Sequence, residues 1–122
     1  MSKKILILED ELIISNLLAK KLSGVGYSVK TAQNSKEGMD LMLQETPDLV
    51  LTDVIMPQKD GFAVIEKMKQ SQTLKSVPII IISNSGQPVE IDRAKELGVS
   101  DWIIKTEFDL QEIVEKVKNK IG

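Results

Sequence analysis

Apolar residues gather along this chain in two kinds of pattern. Three short unbroken runs, Ile5 to Leu8, Leu49 to Leu51 and Ile79 to Ile82, are each closed by polar residues. They are too short for buried helices. Continuous rather than alternating apolarity suits strands covered on both faces, as in a parallel sheet. Two weaker runs, Ser28 to Ala32 and Trp102 to Ile104, also read as strands. Between the runs, apolar residues recur at helical spacing. Leu17, Leu18 and Leu22 mark a helix that stops near Gly24. Met39, Met42 and Leu43 mark a second, with Ser35 as its cap. Phe62, Ile65 and Met68 mark a third, and Ile91, Ala94 and Leu97 a fourth that ends at Gly98. Leu110, Ile113, Val114, Val117 and Ile121 share one face of the last helix, with Asp109 placed to cap it and Glu112 three positions on. Strand and helix alternate five times, which predicts an α/β fold with a parallel sheet and right-handed crossovers.

The remaining bulk properties narrow the chemistry. At 122 residues, with no linker or low-complexity stretch, the chain is expected to form one domain over 1–122. There is no cysteine and no histidine, so disulfides, thiolate metal sites and the commonest general base are excluded. Chemistry must rest on carboxylates, hydroxyls, lysine and backbone groups. The formal charge is −2, with basic and acidic residues well mixed, which gives no electrostatic case for binding nucleic acid. No apolar run could span a bilayer, and Met1-Ser2-Lys3-Lys4 leads into too short a run for a signal peptide. A cytoplasmic protein that binds no membrane is expected.

In open parallel sheets, ligands bind beyond the carboxyl ends of the strands, where the strand order reverses. The residues following the apolar runs therefore matter most. Glu9, Asp10 and Glu11 follow the first strand, Asp53 the third, Ser83 the fourth and Lys105 the fifth. The second strand offers nothing reactive, as suits an edge. Crowded carboxylates repel one another, and a bound cation relieves that repulsion. An all-oxygen set suits Mg²⁺, and a carboxylate can also act as a covalent nucleophile. Ser83 and Lys105 could then hold phosphoryl oxygens. Each residue has a plainer reading when taken alone. Glu9 to Glu11 could cap a helix, Asp53 could sit in a turn before Pro57, and Asp60-Gly61 reads as a turn. Ser83 could be a cap and Lys105 a solvated charge. Those readings do not account for four strand ends carrying such residues together.

The segment Asp53-Val54-Ile55-Met56-Pro57-Gln58-Lys59-Asp60-Gly61 follows the pattern D-x-x-M-P-x-x-D-G. With Glu9-Asp10, the Pro78-led strand ending at Ser83, and Gly98 through Lys105, the whole chain resembles the receiver family of two-component response regulators, of the chemotaxis-regulator kind. The resemblance implies a flavodoxin-like, doubly wound (βα)5 fold with strand order 2-1-3-4-5. It implies that Asp53 accepts a phosphoryl group from the phosphohistidine of a partner histidine kinase or phosphotransfer protein. It implies Mg²⁺ held by Asp10, Asp53 and the Ile55 carbonyl, with Glu9 assisting through water. Lys105 would pair with the phosphoryl group and Ser83 would donate to it. Movement of Ser83 would let Trp102 turn inward and remodel the face of helix four, strand five and helix five, a face also open to dimerisation. Trp102 has a second reading, as a packing residue.

Some positions depart from the family pattern. Asn84 stands where a small residue is usual, Ile55 and Ser85 flank the expected water path, and Thr106 replaces the usual proline. The module would catalyse its own phosphorylation and dephosphorylation and act on no metabolite. A metal-dependent phosphatase with an aspartyl nucleophile is the weaker alternative, because it needs a second acid where Ile55 stands. A flavodoxin-like cofactor binder would find its phosphate repelled by Glu9-Asp10-Glu11. Kinase, output and oligomeric state are not written in these motifs, nor is whether the domain stands alone or comes from a longer regulator. One backbone prediction follows from Thr106. A non-proline cis bond costs roughly 3–4 kcal/mol, so Lys105-Thr106 is expected to be trans, and a crystal structure with a cis bond there would refute it.

Overall fold

The computed structural model describes the backbone of residues 2–53, 55–56, 59–83, 88–99, 101–104 and 109–122, and the side chains of these except 55–56, 59–61 and 88–90. Five strands, β1 (Lys4–Leu8), β2 (Ser28–Ala32), β3 (Leu49–Asp53), β4 (Ile79–Ser83) and β5 (Asp101–Ile104), form one sheet. All four pairings are parallel, in the order β2-β1-β3-β4-β5. The helices are α1 (Leu12–Gly24), α2 (Ser35–Gln44), α3 (Gly61–Gln70), α4 (Pro88–Glu96) and α5 (Leu110–Ile121).

The three unbroken apolar runs are the three central strands, and every residue of β3 and β4 is buried. The strand period of two sends alternate residues to opposite faces. Ile5, Ile7, Leu49, Leu51, Ile80, Ile82 and Ile103 pack with Leu18 and Leu22 of α1 and with Ile113, Val114 and Val117 of α5. Leu6, Leu8, Val50, Ile79 and Ile81 pack with Met42 of α2, Ile65 and Met68 of α3, and Ala94 of α4. The edge strand β2 buries fully only Ala32, which explains its weak signature.

Two local readings are corrected. The residue capping α2 is Asn34, not Ser35: its side chain accepts from the Glu37 N–H at 2.8 Å. Ser35 is the first helical residue, and its buried hydroxyl has no hydrogen-bond partner. Helix α1 ends at Gly24, as expected, with Val25 as its C-cap. Gly26 takes φ 106° while its N–H and that of Tyr27 donate to the carbonyls of Ser23 and Leu22. Gly98 (φ 85°) closes α4 in the same way, with Val99 donating to Ala94. Both are Schellman closures, in which the left-handed residue favours glycine. The second correction is at Asp60-Gly61, which is not a turn. Asp60 pairs with Ile55 in a short antiparallel hairpin (Ile55–Met56 with Lys59–Asp60), and Gly61 opens α3. Asp109 caps α5 as expected, accepting from the Glu112 N–H at 2.7 Å.

Polar ties join neighbouring elements on the outside. Arg93 of α4 lies 4.6 Å over the Phe62 ring of α3 and donates to Glu66 at 3.2 Å. Lys120 of α5 pairs with Asp101 at the start of β5. Glu45, hydrogen-bonded to Lys4 and with Lys30 also near, has its carboxyl held below the usual carboxylate range.

The reassigned cap makes a direct test. Asn34→Ala should lower stability by about 1 kcal/mol, the usual loss for an N-cap. Ser35→Ala should cost nothing or stabilise, because it removes an unsatisfied buried hydroxyl. Urea unfolding of the two variants separates the assignments; a larger loss for Ser35→Ala would restore Ser35 as the cap.

Candidate functional site

The chain leaves β1 toward β2 on one side and returns to β3 on the other, so the crevice between the ends of β1 and β3 is the point where strand order reverses. Glu9, Asp10 and Asp53 meet there. A carboxylate oxygen from each lies within 4.8 Å of the others, with Glu9 and Asp53 buried and Asp10 partly buried.

Backbone structure fixes each of these residues. Glu9 extends the β1–β2 ladder, its N–H donating to the Ala32 carbonyl at 2.9 Å. Its Oε1 accepts from the Glu11 N–H at 3.0 Å. The helix-capping reading of the acidic run does not hold, since Glu11 occupies the N-cap of α1 and its side chain makes no capping bond. Asp53 is the last residue of β3, so the strand runs two residues beyond its apolar stretch. It is neither in a turn nor on the surface, being 1% exposed. Before it, the buried Thr52 hydroxyl donates to the Asp53 carbonyl at 3.0 Å, an anchor that sequence reasoning missed. A threonine at the end of an apolar run was its only signal.

Ser83 is likewise inside its strand, as the fully buried last residue of β4. Asp53 pairs in register with Ile82, which sets Ser83 one residue farther toward the rim on the neighbouring strand. Ile81 pairs with Trp102 and Ser83 with Ile104, so Trp102 lies on the Ser83 side of the sheet, two residues below its level. Trp102 is partly buried against the cluster covered by α2, α3 and α4. Its indole N–H is buried without an acceptor. The packing reading of Trp102 is thus observed. Ile55 is described only by its backbone, which pairs with Asp60. Lys105, Asn84, Ser85 and Thr106, and with them the expected trans bond, lie outside the described residues.

Three carboxylates and no softer ligand make a donor set for a hard, oxygen-seeking divalent cation. The model of the response regulator receiver domain matches residues 5–118. The chain belongs to the response regulator receiver family. The strand order agrees with that of its structural relatives. The chemotaxis protein CheY4 of Vibrio cholerae superposes with a TM-score of 0.92 at 22% identity, covering 98% of this chain and 99% of that one. The receiver domain of HemR from Leptospira biflexa gives a TM-score of 0.89 at 26% identity, covering 99% and 95%. Among curated relatives, ycf27 of Guillardia theta, named as a probable transcriptional regulator, is 34% identical over 116 residues, 95% of this chain and 44% of that protein. RpaA of Synechocystis sp., named as a DNA-binding dual master transcriptional regulator, is 30% identical over 115 residues, 94% and 47%. This receiver domain therefore spans about half the length of the curated relatives it matches. As a member of this family it is a signalling module of two-component systems. Nothing in the comparisons supports the phosphatase alternative. Among the described residues no helix is long and apolar enough to cross a membrane.

Like charges held in one buried pocket cost stability that neutralisation or a cation returns. The receiver should therefore gain stability from Mg²⁺, by about 2.7 kcal/mol at a concentration 100 times the dissociation constant. In a chelator, Asp10→Asn should melt higher than wild type, yet gain less from Mg²⁺. Thermal melts of both proteins in each condition check this; equal Mg²⁺ gains would remove Asp10 from the cation site.

Proposed function

We propose that the domain, taken as residues 1–122, accepts a phosphoryl group on Asp53 from the phosphohistidine of a partner kinase or phosphotransfer protein. The observation that carries this reading is the Asp53 carboxylate, fixed at the end of a buried strand beside Glu9 and Asp10. One Asp53 oxygen attacks phosphorus as the P–N bond to the donor imidazole breaks, and the electron pair leaves with that nitrogen. Asp10, Asp53 and the Ile55 carbonyl are the ligands for Mg²⁺, with Glu9 assisting through water. When bound, Mg²⁺ neutralises charge on the transferring group. Ser83 donates its hydroxyl to a phosphoryl oxygen and the Lys105 ammonium pairs with another. Water later attacks the acyl phosphate, so the module also dephosphorylates itself.

The register supports a route outward. Ser83 and Trp102 share one side of adjacent strands, and the unsatisfied indole N–H costs about 1–3 kcal/mol where it stands. Pulling Ser83 toward the phosphoryl group opens space beside it, and Trp102 turns inward to remodel the α4–β5–α5 face. The phosphatase reading gains nothing, because Ile55 offers no acid two residues after Asp53. A cytoplasmic setting, where kinases of this kind present their phosphohistidine, fits this role.

Incubation with Mg²⁺ and a small acyl-phosphate donor should add one phosphoryl mass to the intact chain. Asp53→Asn should lose that adduct, and Trp102 fluorescence should change in wild type only. A full-yield adduct on Asp53→Asn would place the acceptor elsewhere.

A further inference from the structure

Thr52 stands out within its strand. The three residues of β3 before it are aliphatic, and Thr52 is as fully buried as they are. Strand alternation sets Thr52 on the face of Val50, with Leu8 and Ile81 level with it on the neighbouring strands. The same alternation sets the Asp53 side chain on the opposite face, with Leu49 and Leu51. Thr52 thus faces away from the acceptor carboxylate, and its hydroxyl donates instead to the Asp53 backbone carbonyl at 3.0 Å. A valine of the same shape would fill this place without burying a hydroxyl. Burying one costs free energy that a single hydrogen bond only roughly returns, so stability does not account for the threonine.

The place of that bond in the ladder gives it a use. Thr52 is the last residue of β3 paired on both sides, with Leu8 of β1 and Ile81 of β4. Among the described residues Asp53 has a strand partner on the β4 side alone, Ile82. The acceptor therefore stands one residue past the doubly paired part of the strand, with the carboxylates of Glu9 and Asp10 beside it. Those like charges favour a swing of the Asp53 side chain away from them. Its carbonyl and its side chain are borne on the same residue, so fixing the direction of the carbonyl limits how far the Cα can turn and the carboxylate can move. Threonine suits the task, because its β-branched side chain is stiff and packing of the methyl aims the hydroxyl. We propose that Thr52 is a positioning residue: through the Asp53 carbonyl, its hydroxyl holds the Asp53 carboxylate where it meets the cation and the incoming phosphorus. The phosphorus half of this role rests on Asp53 being the acceptor, as proposed above; the cation half needs only the three-carboxylate pocket.

Two variants separate positioning from packing. Thr52→Val keeps the shape and removes the donor, whereas Thr52→Ser keeps the donor and removes a methyl. In a chelator Thr52→Val should melt close to wild type, and Thr52→Ser lower, since a buried methyl is lost. Function should rank the other way. Thr52→Val should raise the Mg²⁺ dissociation constant about fivefold, the equilibrium equivalent of one buried hydrogen bond, as read from the dependence of the melting temperature on Mg²⁺. At saturating Mg²⁺ its rate of adduct formation with a small acyl phosphate should fall about tenfold, short of the hundredfold of a full ångström's misplacement. Thr52→Ser should keep both quantities near wild type. Thr52→Val matching wild type in either measure, or losses that follow the melting temperature across the two variants, would overturn the proposal. Should Thr52→Val fail to fold, Thr52→Ser decides alone, and weakened Mg²⁺ binding or slowed adduct formation in it would overturn the proposal as well. An adduct that persists on Asp53→Asn would instead refute the acceptor reading, leaving the Mg²⁺ comparison to decide whether Thr52 holds the carboxylate for the cation.

Discussion

Three carboxylates are held within 4.8 Å of one another at the end of a sheet made almost wholly of aliphatic side chains. Left to themselves, such groups would separate into water, because like charges repel strongly where the surroundings are poorly polarisable. They stay together because they are fastened to backbone that cannot move. Asp53 is paired in register with Ile82, and Glu9 is tied to the Ala32 carbonyl and to the Glu11 N–H. Such an all-oxygen set suits a hard divalent cation.

That rigidity comes from the two-sided burial of β1, β3 and β4. One face is closed by α1 and α5 and the other by α2, α3 and α4, so a shift of the central strands would disturb both cores. The helix ends set where each crossover returns. Gly26 and Gly98 stop their helices with left-handed residues, and Asn34 and Asp109 start theirs with side-chain caps. The contacts of Arg93 with Phe62 and Glu66 join α4 to α3 at the surface, where such pairs are weak. Beneath that surface, Ala94 and Leu97 of α4 pack into the same core as α2 and α3.

The fold was legible in the sequence because its signals are local. Runs such as Ile79 to Ile82, helical spacing from Leu110 to Ile121, and the Asp109–Glu112 cap all act within a few residues. Errors arose where two neighbours carried the same local signal. Asn34 and Ser35 are both good caps, and Glu37, three residues after Asn34, was the signal that favoured the former. Asp60-Gly61 reads as a turn in isolation, but Asp60 takes Ile55 as a strand partner.

By itself the sequence determined the class of chemistry: without histidine or cysteine, and with acids, a hydroxyl and a lysine following its strands, only oxygen and amine groups could serve. It also determined the order in which those groups reach the rim, since alternating strands and helices deliver them to one end of a parallel sheet. The tertiary structure decided which acids meet. It carried β3 two residues past its apolar run, burying Asp53 beside Glu9 and Asp10 while Glu11 remained at the surface. It also set Trp102 on the same side as Ser83 and left Ile13 and Leu17 uncovered. Such facts depend on register between strands far apart in the chain, and on which helix covers which face. Register is fixed by packing the whole core at once, so no local stretch of residues contains it.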